Sequence, residues 1–398
     1  MEKRKNQILM IVQFPENVSP CQRFRCELYQ ATLEKNGFEV TTKSFLDLQG
    51  YKVVHQYGFL FRKSVALVKG FIRRMALLFR LGKYDFILVQ REFAPVGPPV
   101  FEWLAVKIFQ KKLIYDFDDA IWIPSVSDQN SIAGKFKNAR KVNTICRLAY
   151  RVSAGNDYLC NHARQYNKNV VYNPTCVDTT NRYSVLASHE TEKITVTWTG
   201  SFSTLKYLNI VESALKKLQE KYDFNVKIIC NRQPSLDLKN VQYVEWSEEN
   251  EVSALASCQI GLMPLTADEW SEGKCGFKLI QYLSLGIPAV SSSVGVNKKI
   301  IEDGVNGYFA DSDAEWYNNI EKLLLNADLR KKMGIAGRQK MVDRYSLQSN
   351  ESNFLNLFSG HNPAVITMRR SPGISLRRLV NLKPVYNLLL KRRNVFNT

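Results

Sequence analysis

The feature that most constrains this chain is a β/α alternation that runs its course and then starts again. Short runs rich in branched and aromatic residues, QILMIVQF, FEVTTKSF, YDFILVQ, KKLIYDF and NVVYNP, are separated by segments of helical spacing, the first from about Arg25 to Asn36. That order predicts a parallel sheet covered by helices. A second series opens at Ile194 with ITVTWTG and continues through a helix to about Tyr222, FNVKIIC, VQYVEW, a helix near Glu249 to Ala256, QIGLMPL, a helix over Phe277 to Leu285, PAVSSS and GYFA. Two Rossmann-like domains are expected, which suits 398 residues. Between them Asn173 to Glu192 carries Asn-Pro, Ser and Thr with little periodicity, the mark of a connector. The division expected is residues 1–178, a linker over 179–192, a second domain over 193–350, and a basic helix or tail over 351–398.

Composition excludes little but sets the company the chain keeps. A net charge of +18 points to polyanionic partners: nucleic acid, anionic lipid or phosphate-bearing substrates. No RRM, KH, zinc-finger or repeat signature is present, so a nucleic-acid partner is not expected. The eight cysteines lack metal or redox spacing, and reduced cytosolic thiols are expected. Ile8 to Val12 is too short for a signal h-region, and no run approaches the roughly 20 apolar residues of a spanning helix. Any membrane contact is expected to be peripheral.

The most informative segment is GKCGFKLIQYLSLGIPAVSSSVGVNKKIIEDGVNGYFA, Gly273 to Ala310. A glycine-led helix start, a small-residue turn and a further glycine at Gly295 bring backbone N–H groups beside one crevice, where an anion is favoured. By themselves these glycines also fit tight turns with no ligand. The segment as a whole resembles the donor-binding stretch of the family-4 retaining glycosyltransferases, E-G-F-G-x-x-x-x-E-A-M-A-x-G-x-P-V-V followed by small residues. Val152 to Tyr183 is similar to that family's passage into the hinge, and ITVTWTGSFSTLKYL to its phosphate loop. The resemblance covers roughly residues 85 to 350.

What the resemblance implies is an α/β GT-B fold, two Rossmann-like domains facing a cleft. Its activity is transfer of a sugar from a nucleotide-diphosphate donor, with retention and without metal or other cofactor, to a glycan or lipid-linked acceptor. Gly200, Ser201, Lys206, Gly276, Phe277, Lys278, Leu279 and Gln281 fall on its donor side, and Trp246, after a strand of the second domain, reads as a stacking face for a nucleotide base or as core packing. Two departures stand out. Aligning Pro288 places the family's first motif glutamate at Gly273 and its second, which holds the ribose hydroxyls, at Gln281. The loop arginine falls on Ser201 and the loop lysine on Lys206, a cation suited to a leaving diphosphate or, equally, a solvated helix residue. The missing carboxylates leave two other readings open, a non-catalytic GT-B subunit and a nucleotide-sugar epimerase.

Asp116, Asp118 and Asp119 follow a strand in KKLIYDFDDAIW. They read as acceptor-side carboxylates, as a D-x-D metal motif, or as helix-capping acids. Asp118 and Asp119 are the expected catalytic acids, with Lys206. Arg23, Arg25 and Arg91 are candidates for the acceptor side of the cleft, or for surface ion pairs. His55, His162, His189 and His361 have no ligand spacing.

Phe59 to Lys83 holds seven Lys or Arg and no acid, with apolar residues at helical spacing. Such a segment reads either as a helix packed on its own domain or as a surface for an anionic membrane, with Arg73, Arg74 and Arg80 as docking residues. The tail after residue 360 repeats that chemistry. The expected place of work is the cytoplasmic face of the cell membrane.

Overall fold

The computed structural model describes residues 4–54, 56, 58–123 and 140–359. His55, His361 and the basic tail after residue 359 lie outside them. The first half builds a six-stranded sheet from β1 (Asn6–Val12), β2 (Phe38–Ser44), β3 (Phe86–Gln90), β4 (Lys112–Phe117), β5 (Arg151–Ala154) and β6 (Val170–Tyr172), in the order β2-β1-β3-β4-β5-β6. The second sheet holds β7 (Thr195–Gly200), β8 (Asn225–Cys230), β9 (Val241–Glu245), β10 (Ile260–Met263), β11 (Ala289–Ser291) and β12 (Gly307–Phe309), in the order β12-β11-β10-β7-β8-β9. Every pair in both sheets is parallel. Unbroken apolar runs such as Ile8 to Val12 are buried because helices cover both faces.

In chain order the principal helices are α1 (Pro20–Arg25), α2 (Gln30–Lys35), α3 (Leu48–Val54), α4 (Leu60–Leu78), α5 (Lys141–Leu148), α6 (Asp157–Arg164), α7 (Asn209–Lys221), α8 (Glu251–Ala256), α9 (Phe277–Ser284), α10 (Asp313–Leu325), α11 (Ala327–Arg344) and α12 (Leu347–Leu355). The helix expected over Arg25 to Asn36 is broken into α1, a 3₁₀ turn over Glu27–Tyr29, and α2. The short strand β5 is missing from the runs read in the sequence, since Arg151–Ala154 is only four residues with an arginine and a serine in it.

Two segments behave differently from expectation. The connector is packed into the body: Cys176, Val177 and Tyr183 are fully buried, and Arg338 of α11 donates to the carbonyls of Thr179 and Tyr183 at 2.6 and 2.5 Å. The chain also returns to its starting half. Phe354 of α12 stacks on Tyr29 with ring centroids 3.8 Å apart, and Leu357 and Phe358 join the core of Ile8, Met10 and Leu88. Residues 351–358 therefore complete the first half rather than append a tail, because their apolar side chains have a ready face there.

Helix α4 keeps its apolar stripe outward and turns two of its basic residues inward. Its buried face carries Ala66, Gly70, Leu77 and Leu78 together with Lys63 and Arg74. Gly70 lies against Phe45, where a Cβ would sit 2.4 Å from the ring. Arg74 is 1% exposed and donates to the carbonyls of Phe93 at 2.8 Å and Val12 at 2.7 Å, so it is a structural residue and not a docking one. Burial draws its guanidinium down to about 9. Arg73 is half-exposed and pairs with Asp47, while Arg80 is exposed. The outward face is apolar: Phe61, Val65, Val68, Ile72, Met75 and Phe79, spaced four and three apart.

Candidate active site

In the second sheet the strand order reverses between β7 and β10, and ligands of doubly wound sheets bind where the carboxyl ends of two such strands part. At that point β7 ends in Gly200, whose missing side chain leaves room for the Trp198 ring and for Lys278; a Cβ would lie 2.7 Å from one and 2.9 Å from the other. After β10 the chain runs through Gly273 to Cys275 into Gly276, whose φ of 66° starts α9. A residue with a side chain is disfavoured there twice over, by the left-handed backbone and by Ile300, 2.3 Å from where a Cβ would stand.

No side chain caps α9, so the N–H groups of Phe277, Lys278 and Leu279 face the crevice at the positive end of the helix dipole. The Leu279 side chain itself is core and offers only its backbone. The Lys278 ammonium sits 5.3 Å above the Trp198 ring. Among the described residues no carboxylate forms an ion pair with it. Burial, and next the charge of Lys274, lower it to about 8. Ser201 and Lys206 are exposed on the turn and 3₁₀ segment that follow β7, the Lys206 ammonium lying 5.3 Å over Tyr207.

Gln281 and Trp246 enter one buried network. Gln281 Nε2 donates to Tyr183 Oη at 2.7 Å and to Glu251 Oε1 at 3.0 Å. Glu251, 2% exposed, also accepts from Trp246 Nε1 at 3.3 Å, Arg182 at 3.2 Å and Arg23 at 2.7 Å. Arg23 thus leaves the acceptor side to which sequence assigned it and braces α1 against the second half. Beside it Phe24 packs on Phe277, centroids 4.3 Å apart, and the Arg23 guanidinium lies 5.7 Å over the Trp246 ring.

Facing the crevice, the end of β4 divides its acids. Asp116 is fully buried, paired with Arg25 and accepting from Ser153 at 2.6 Å. Arg25, 1% exposed, also donates to the Asn173 carbonyl. Neither group is open to an acceptor, which corrects the placement of Arg25 there. Asp116 and Asp118 each pair with a separate arginine, Arg25 and Arg91.

Asp118 and Asp119 share Arg91, whose Nη2 is 2.9 Å from the first and 2.6 Å from the second. Arg91 has a φ of 67°, an uncommon backbone for a side-chain-bearing residue, and it follows β3 at the strand-order reversal of the first sheet. Burial pushes the Asp118 carboxyl up, but Arg91, a hydrogen bond from Cys21 and the charge of Arg25 together outweigh that and hold it below the usual range. Lys274 reaches across to Asp119 at 2.8 Å, and Cys275 Sγ contacts the Asp118 carbonyl at 3.1 Å. Asn156 ties the same loop down, donating to the carbonyls of Glu272 and Lys274 at 3.1 and 2.9 Å.

The structure therefore brings Gly200, Ser201, Gly276, Phe277 and Lys278 to one crevice and sets Arg91, Asp118 and Asp119 against it. Reasoning from sequence missed Lys274, Asn156 and Glu251. The spacing of Lys274 and Lys278, one on each side of the glycine that starts α9, is the signal by which the first could have been found.

Residues 193–326 match the family glycosyl transferases group 1. The fold is GT-B. Sucrose-phosphate synthase from Thermosynechococcus elongatus aligns with a TM-score of 0.65 at 12% identity, over 89% of this chain and 98% of that one. HepE of Anabaena, solved with UDP-glucose, aligns with a TM-score of 0.64 at 15% identity, over 88% and 99%. WaaG, a glycosyltransferase of lipopolysaccharide biosynthesis, aligns with a TM-score of 0.60 at 13% identity, over 89% and 100%. No curated protein matches the chain in sequence. The group 1 match covers the half that holds the crevice and its lysines. Among the described residues no three His, Cys, Asp or Glu side chains gather as a metal site, His162 stacks on Trp122, and His189 bonds the Gly286 carbonyl. No described helix is long and apolar enough to cross a membrane.

Proposed function

We propose that this group 1 glycosyltransferase binds a nucleoside-diphosphate sugar in the crevice between β7 and β10 and transfers the glycosyl group, with retention and without metal, to a lipid-linked or cell-surface glycan acceptor at the cytoplasmic side of a membrane. The observation that carries the reading is Lys278, a half-buried ammonium with no carboxylate partner among the described residues, set at the uncapped start of α9 beside Gly200. A buried cation without a counter-ion costs free energy that a bound anion recovers. A diphosphate there takes the α9 N–H groups, Lys278 and, from the turn, Lys206 and Ser201. Gln281 presents its remaining carbonyl oxygen to a ribose hydroxyl, its amide N–H groups being used within the protein.

In the reaction the bond from the anomeric carbon to the diphosphate oxygen breaks and its electron pair stays on the phosphate, where the cations and N–H dipoles stabilise it. The acceptor oxygen bonds to the anomeric carbon, and its proton passes to the departing phosphate. Asp118 and Asp119, both paired with Arg91, oppose the positive charge that develops on the sugar ring.

The acceptor side of the reading rests on α4. Its outward stripe from Phe61 to Phe79 is bordered by exposed Arg62, Lys69 and Arg80, and that pairing of apolar face and basic rim fits an anionic bilayer. The docking assignment thus moves from Arg74 to the apolar stripe, with Arg80 kept at its edge.

Calorimetry with UDP, GDP and a panel of their sugars tests the donor site: a diphosphate should bind, and Lys278→Ala should weaken it without unfolding the protein. Equal affinity in the variant removes Lys278 from the site. Binding without nucleotide release, with any acceptor, identifies the non-catalytic subunit that the absent motif glutamates at Gly273 and Gln281 would permit.

A further inference from the structure

The donor motif has no carboxylate at Gly273, yet a carboxylate stands beside it in space. A Cβ on Gly273 would lie 2.5 Å from the Ala120 Cβ and 2.9 Å from its nitrogen, so the loop that carries Asp118 and Asp119 presses directly onto the motif. A glutamate in that place would have no room. One residue on, Lys274 holds Asp119 at 2.8 Å; one residue back along the other loop, Cys275 meets the Asp118 carbonyl at 3.1 Å. Gly155 completes the fit, since a Cβ there would come within 2.3 Å of Cys275 Sγ. Four contacts thus dock the two halves at this point, and each depends on a small or specific residue.

The geometry points to a catalytic centre completed across the cleft: Asp119 of the first half supplies the acid that the donor motif lacks, and Lys274 is the positioning residue that sets it there. This rests on the donor reading above and adds to it where the acid comes from. Asp119 is fixed between Arg91 and Lys274, on the motif that precedes the diphosphate-facing turn of α9. Gly273 is a glycine for approach, not for a turn, its φ of −74° being open to any residue.

The test uses the full chain with UDP-glucose, UDP-N-acetylglucosamine and GDP-mannose, reading nucleoside diphosphate released when water takes the sugar. In that step the anomeric carbon to oxygen bond breaks with its pair on the phosphate, water oxygen joins the carbon, and the spare proton goes to the phosphate. If the wild type neither binds nor cleaves any nucleotide sugar, the donor reading itself falls. If it turns one over, Gly273→Ala and Lys274→Met should each lower kcat at least tenfold while nucleotide affinity stays within about twofold. Lys274→Arg should keep most of kcat. Asp119→Asn combined with Lys274→Met should be no slower than Asp119→Asn alone. Should Gly273→Ala fail to fold, the Lys274 series decides by itself. Unchanged kcat in Lys274→Met, or full additivity with Asp119→Asn, reduces the pair to a staple between the halves and overturns the proposal.

Discussion

The three acids at the end of β4 form two clusters that share chemistry and differ in what surrounds them. Asp116, Arg25, Ser153 and the Asn173 carbonyl close on themselves inside the first half, all buried. Two and three residues later Asp118 and Asp119, with Arg91, are partly open and take their further cation, Lys274, from the second half. A fully satisfied and dry network can only hold shape, because no ligand reaches it without breaking a buried charge pair. A network whose partner comes from the other half ties the two halves together at the crevice. The comparison teaches that burial and the origin of the counter-ion, not the presence of an acid at a strand end, separate architecture from chemistry.

Breaking the closed cluster should have the largest effect on the fold. Asp116→Ala leaves the Arg25 charge buried without its carboxylate and should destabilise the protein by about 3–5 kcal/mol, read as a lower denaturation midpoint in urea. If stability is unchanged, the first cluster is not the structural one. The open cluster should show the reverse signature: Asp119→Asn should cost about 10²- to 10³-fold in turnover, with a denaturation midpoint close to that of the wild type.

Smaller effects sharpen the contrast. Lys278→Ala removes a charged hydrogen-bond donor from a bound diphosphate, a change of about 1.5–3 kcal/mol, measurable as a Kd raised by one to two orders of magnitude. The same lysine sets a pH dependence. It faces Lys274, Asp119 and Cys230, and its ammonium, drawn down to about 8 by burial and then by Lys274, must be protonated to hold an anion. Nucleotide affinity should therefore be full at pH 7 and fall as the pH rises through 8, and Lys278→Arg should abolish that fall. Asp118 should add no change between pH 5 and 8, since Arg91, Cys21 and Arg25 together keep it ionised throughout. The smallest effect concerns a face remote from both clusters. Phe61→Ser with Phe79→Ser should weaken binding to anionic vesicles at low salt while leaving the urea midpoint within about 0.5 kcal/mol, the ordinary range for exposed positions.

Much of the architecture was legible because its signals are local. The restart at Ile194, the runs that became β1 to β4, β6 and β7 to β12, and the start of α9 after Gly276 all follow from period and turn chemistry within a few residues. The donor crevice was legible in part for the same reason, since Gly276 and Lys278 mark a glycine-led helix start, whereas Gly200 entered through the resemblance of its loop. Helix α4 shows where local reading stops. Its composition announces a basic amphipathic helix, but which face turns inward was decided by carbonyls at Val12 and Phe93 that accept from Arg74, and by Phe45 filling the space over Gly70.

By itself the sequence determined two doubly wound halves, a phosphate-friendly helix start, and a set of acids and arginines near a cleft. It left undecided which arginine serves what, because Arg23, Arg25 and Arg91 differ little in local context. Tertiary structure sent Arg25 inside to Asp116, Arg23 across to Glu251, and Arg91 to the two open acids. The partners of Lys274 and Gln281 lie 155 and 30 residues away in the chain, beyond any pattern of neighbours. A charge is assigned by what lies within a few ångströms of it in a low-dielectric cleft, and only the closing of one half upon the other brings those groups together.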